Sequence, residues 1–78
     1  MKNFLLCDAA INKNYTILNL CHNIDIKTKT RLLEFGFFQG QTLTIINKSL
    51  RKGVLLIEIA NQLVTLRTLE AACVVVYG

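Results

Sequence analysis

The sequence predicts a mostly β chain, folded as a small closed barrel of about five strands. One short α-helix is expected between the first and second strands, and a helical turn before the last. Three observations carry this. Short runs rich in β-branched and aromatic residues recur along the 78 residues, punctuated by Gly, Asn and Thr. A single stretch, Arg31-Leu32-Leu33-Glu34-Phe35-Gly36-Phe37-Phe38-Gln39-Gly40, has helical spacing and ends in glycine. An open sheet of this size would leave hydrophobic edges exposed, and closure removes that hazard.

Phe4 to Ala10 is apolar, and its pattern admits either a short helix or an edge strand. Asn12-Lys13-Asn14 is a turn, with Asn12 suited to positive φ. Tyr15 to Leu20 alternates, with Leu18 and Leu20 opposite Tyr15 and Ile17, as a strand buried partly on both faces does. Asn23 or Asp25 is suited to cap a helix running from about Ile26 to Phe35. Leu32 and Phe35 share its apolar face, while Arg31 and Glu34 take the wet side. Gly36 belongs at the left-handed position after the last turn, with Phe37 folding back on it. Gly40 is the second permissive residue, before the strand Thr42 to Lys48. A loop, Ser49 to Gly53, leads to strands Val54–Ile59 and Leu63–Leu66, joined as a hairpin across Ala60-Asn61-Gln62. Thr68 is expected to cap the turn Leu69 to Ala72, and Cys73 to Tyr77 closes the barrel. Together these elements predict the SH3-like type of barrel, with residues 1–78 as one domain.

Composition narrows the function classes. Hydrophobic residues make up 53% of the chain, enough for a dense core without a disordered tail. Three cysteines, Cys7, Cys21 and Cys73, are an odd number at no metal-ligand spacing, as expected of thiols used as small hydrophobes in a reducing cytosol. The N-terminal apolar run is too short for a leader and is broken by Asp8; Ala71 to Tyr77 is too short to span a bilayer. A soluble, cytoplasmic protein is expected. The net charge of +4 permits an acidic partner or an anionic surface without demanding one.

At the level of motifs, Arg31-Leu32-Leu33-Glu34-Phe35-Gly36-Phe37, then Gly40, a strand and hairpin, Leu66-Arg67 and Glu70-Ala71, resemble the FeoA family of bacterial ferrous iron transport. The resemblance covers roughly Tyr15 to Val76. It implies an SH3-like barrel without catalysis of its own that supports FeoB, a membrane transporter with a cytoplasmic G domain. The same domain type also ends some metal-responsive repressors, so the alternative is a stand-alone regulator acting in transcriptional control. The chain departs from the family pattern at Gln39, where proline is common, and at Asn12 and Asn61, near which glycine is common. Asn tolerates positive φ, so only the stiffness of the Gln39 turn is affected.

No catalytic residues, cofactor or metal ligands are expected. There is no phosphate-binding glycine loop and no Ser-His-Asp or Cys-His set. His22 has only Cys21 beside it, and adjacent strand residues point to opposite faces. Lys27, Lys29 and Arg31, with Lys48, Arg51 and Lys52, read first as a solvated helix side and loop, second as a surface for an acidic partner. Nucleic acid is not expected, since no aromatics interleave with the cations. Arg67 is expected to satisfy nearby carbonyls or pair with Glu70. One small barrel cannot bury Phe35, Phe37 and Phe38 together. Phe38, with Leu33 and Gln39, is therefore expected at a partner surface, joined by Lys48, Arg51 and Lys52. Weak self-association stays open.

Overall fold

The computed structural model describes residues 2–78; Met1, part of the N-terminal segment weighed above as a leader, lies outside the described residues. In chain order come β1 (Asn3–Leu5), a 3-10 turn (Leu6–Asp8), β2 (Asn14–Leu20), α1 (Ile26–Glu34), β3 (Thr42–Ser49), β4 (Val54–Ile59), β5 (Gln62–Arg67), α2 (Thr68–Ala71) and β6 (Val74–Tyr77). The strands form one antiparallel sheet in the order β1-β6-β2-β3-β4-β5. This is the mostly β, SH3-like architecture that the sequence predicts, with six strands rather than about five. The additional one is β1, which pairs Phe4 with Val76 on β6. The segment that admitted helix or strand is therefore both in succession, and α1 lies between the second and third strands.

Two bulges bend the sheet around its core. On β2 the register jumps between Ile17 and Asn19, and on β3 between Ile45 and Asn47. Leu18 and Ile46 are the extra residues, and each bulge raises the local twist and turns the strand. Bent β2 can then pair with β3 through Asn14 to Thr16 and with β6 through Thr16 to Leu20. The ladders do not join β1 to β5. That seam is covered where the 3-10 turn packs against α2, and each contributes a fully buried side chain, Leu6 and Ala71. Inward residues of every longer strand meet in one cluster that includes Tyr15, Ile17, Leu43, Ile45, Leu55, Ile57, Val64, Leu66, Val74 and Val76.

Helix α1 plugs this core through Leu32, its one fully buried residue. The Asp25 side chain accepts the Thr28 N–H at 3.5 Å, so Asp25, not Asn23, is the cap. The helix ends in a Schellman motif: Phe37 N–H donates to Leu32 C=O at 2.9 Å and Gly36 N–H to Leu33 C=O at 3.0 Å. Gly36 sits at φ +98°, and Phe37 is buried with Leu32. Gln62 Nε2 satisfies one more terminal carbonyl, that of Phe35, at 3.3 Å.

Two expected details are corrected. Thr68 is the first residue of α2 rather than its cap, because Arg67 keeps extended dihedrals (φ −74°, ψ 152°) as the end of β5. The orphan N–H there, that of Arg67, is satisfied by the Glu70 side chain at 2.9 Å. Arg67 does not pair with Glu70 through its guanidinium; that carboxylate receives Arg31 instead. A contact between residues so distant in sequence binds α1 to α2 and leaves Arg67 exposed.

Candidate functional site

The bulge at Leu18 has a consequence on the outer surface. Leu18, the bulged residue, and Leu20, which lies opposite buried Val74 and packs against the core, line one wall of a surface groove of about 500 Å³. The β2–α1 connection supplies Cys21, His22 and Ile24, and α1 supplies Ile26, Lys29 and Leu33. The turn that leaves the helix supplies Phe37, Phe38 and Gln39. Phe37 belongs to the core, whereas Phe38 is 49% and Leu33 42% exposed at the rim. The Schellman hydrogen bonds hold the rim turn, and Gly40 N–H reaches Ile17 C=O at 2.8 Å to tie its far end to β2. An apolar rim on a hydrogen-bonded turn presents its aromatic residue with little ordering cost on binding.

The structure thus brings Leu33, Phe38 and Gln39 together and adds Lys29 beside them. It does not bring Lys48, Arg51 and Lys52 to that groove. Lys48 Nζ donates to Cys7 C=O at 3.1 Å, which fixes it against the 3-10 turn. Arg51 and Lys52 are exposed in the β3–β4 loop. Arg31 also leaves the free cations of the helix, since its guanidinium lies 5.4 Å from the centre of the Phe35 ring while bonded to Glu70. Of the motif residues, Gly36, Phe37, Arg31, Glu70 and Ala71 are accounted for by capping, burial and the α1–α2 clasp. Glu34 and Arg67 are exposed.

Electrostatics at the site are mild. Asp25 is held below the usual carboxylate range by its hydrogen bond with Thr28. Burial pushes the Cys7 thiol up. Cys73 is pushed up to about 11, first by its contact with the Cys21 thiol and then by burial. Among the described residues no three or more His, Cys, Asp and Glu side chains gather as a metal would require. What the groove offers is apolar surface beside a lysine, the chemistry of recognition.

The chain resembles known proteins over most of its length. The FeoA domain model matches residues 4–77. The chain belongs to the FeoA family. It is 34% identical over 71 residues to the "Putative Fe(2+) transport protein A" of Helicobacter pylori strain J99, covering 91% of this chain and 90% of that one. The crystal structure of Stenotrophomonas maltophilia FeoA complexed with zinc superposes with a TM-score of 0.77 at 27% identity, over 92% of this chain and 87% of that one. A manganese-dependent transcriptional repressor shares the fold with a TM-score of 0.89 at 14% identity, over 97% of this chain but 41% of the repressor. FeoA domains are non-catalytic modules, and the family is implicated in ferrous iron transport. No helix among the described residues is long and apolar enough to cross a membrane.

The sequence did not point to Leu18, Leu20 and Ile24 as groove walls. Leu18 and Leu20 read there only as the second face of a strand buried partly on both sides, and the bulge that carries Leu18 arises from pairing with β6.

Proposed function

We propose that this FeoA-family chain is a cytosolic accessory protein of ferrous iron uptake that docks on the cytoplasmic part of a FeoB-type transporter bearing a G domain. The groove beside Phe38 and Leu33 is the docking surface, and the chain meets the membrane only through that partner. The observation that carries this is the exposed Phe38 on a turn fixed by the Gly36 motif and its Gly40 tie, with Leu33 adjoining it. Aromatic anchors of this kind dominate interface energies, while peripheral cations contribute little. Docking can shift the transporter between states only through unequal affinity for them.

The test is a pull-down of the transporter from detergent-solubilised membranes with tagged chain. Phe38→Ser should lower the affinity by about 10-fold or more while leaving thermal stability unchanged, because the residue is half exposed. Charge reversal at Arg51 and Lys52 should change it by less than about threefold. Undiminished docking by a folded Phe38→Ser protein would remove the groove from the proposal. Loss of docking on loop charge reversal alone would move the surface to the β3–β4 loop.

A further inference from the structure

The cysteines are expected from the sequence to be three independent small hydrophobes, yet the fold places two of them face to face. The β2–β6 register runs through Asn19 with Val75 and Leu20 with Val74, so the next opposed positions are Cys21 and Cys73. The Cys21 N–H donates to the Cys73 C=O at 2.8 Å, which continues the pairing to that position. Opposed residues of antiparallel strands have Cα atoms roughly 4.5–5.5 Å apart and side chains on the same face, inside the span a disulfide bridges. Both thiols are free and only partly buried, so a dissolved reagent can reach them. The Cys21 thiol is also the leading influence on Cys73, in keeping with that placement. Cys7 feels neither of them; burial and Asp8 are the main influences that raise it.

We infer that Cys21 and Cys73 form a redox-active dithiol that closes reversibly to a disulfide, with a small-molecule disulfide such as glutathione disulfide as oxidant. The Cys21 thiolate attacks one sulfur of glutathione disulfide, forms a mixed disulfide and releases one glutathione thiolate. The Cys73 thiolate then attacks the Cys21 sulfur and expels the second. The two cysteines lose two protons and two electrons; the electrons reduce the oxidant, and the protons end on two glutathione thiols. The bond would pin the end of β2, where Cys21 lines the groove, to the exit of α2, where Cys73 lies. Redox control of docking follows from this and rests on the groove being the docking surface.

The experiment equilibrates the purified full chain with graded ratios of glutathione to glutathione disulfide, quenches in acid, alkylates the remaining thiols and maps the products by mass. Expected is a loss of about 2 Da, with Cys7 alone left to alkylate and full reversal by dithiothreitol. Cys7→Ser, which retains only the pair, should behave alike, whereas Cys73→Ser should stop at a glutathione adduct on Cys21. A chain that stays fully reduced under an oxidising ratio, or that forms bonds through Cys7 or between molecules instead, overturns the inference. Reduced and oxidised wild type are then compared in the transporter pull-down, where about a fivefold or greater difference is expected. Equal capture of both forms would overturn the control of docking and leave the dithiol standing. Capture of neither form counts against the docking surface itself, with the dithiol judged by mass alone.

Discussion

Replacing Gly36 by Ala isolates the conformational demand on which the helix exit depends. Gly36 has φ +98°, and a Cβ built there would meet Ala60 Cβ at 3.5 Å, an ordinary van der Waals contact. Space is therefore available, and the cost is that of holding an L-residue at positive φ, about 1–2 kcal/mol after allowing for the stiffer unfolded chain. The hydrogen bonds from Gly36 and Phe37 to Leu33 and Leu32 require this backbone geometry, so the residue cannot relax to negative φ without giving them up. For a domain of this size 1 kcal/mol corresponds to roughly 4–8 °C in Tm, so Gly36→Ala is expected to melt about 4–16 °C lower. Urea denaturation should show a lower midpoint at unchanged slope, since the folded state stays compact. A loss under about 0.5 kcal/mol would refute the reasoning. So would a larger loss accompanied by a reduced slope, which would place the cost in core disruption rather than backbone strain.

The opposite sign is expected at Ala60, an L-residue held at φ +51° in the two-residue β4–β5 turn, where Ala60→Gly should gain about 0.5–1 kcal/mol in the same urea titration. Glu70 accepts both the Arg31 guanidinium and the Arg67 N–H. Glu70→Gln should cost about 0.5–1 kcal/mol, and Glu70→Ala about 1–3 kcal/mol because the cap of α2 is lost too; a double-mutant cycle with Arg31→Ala separates the two contributions. Leu32→Ala should cost about 2–5 kcal/mol, read as a lowered denaturation midpoint, because the residue is fully buried at the plug of the barrel. Cys73, pushed up to about 11 from 9.0, keeps its proton in the folded chain at pH values where the unfolded chain has lost it. Its contribution to stability is therefore complete below about pH 9 and declines as pH rises toward 11. Cys21→Ala removes the leading cause and should flatten that decline relative to wild type, measured as denaturation midpoints from pH 8 to pH 11.

What the sequence disclosed was whatever short-range chemistry decides. Gly36 followed by Phe37 specified the helix exit because the Schellman motif is local, its two hydrogen bonds closing within six residues. Asn12 and Asn61 stand at φ 59° and 62°, where their tolerance of the left-handed region placed them. The burial of Phe37 and exposure of Phe38 followed from the volume of a small core. Residues 4–10 were ambiguous because a short strand running into a 3-10 turn has too little pattern to declare itself, and β6 supplied the decision by offering an unpaired edge.

The less legible part of the molecule was made by pairing between distant segments, and the proposed function depends on that part. Nothing near Arg31 announced Glu70, and nothing near Cys21 announced Cys73; antiparallel β2 and β6 and the packing of α1 on α2 created both encounters. The groove has the same origin. Its rim residues, Leu33 and Phe38, were visible because local rules put them outside the core, whereas its other wall depends on the pairing of β2 with β6, which leaves Leu18 as the extra residue of a bulge and sets Leu20 opposite Val74. A one-residue deletion at Leu18 would remove the bulge and one residue of that wall while leaving Leu20 opposite Val74. If the groove is the docking surface, that deletion should weaken docking even with Phe38 intact, in a protein whose retained β-sheet circular dichroism shows that it still folds.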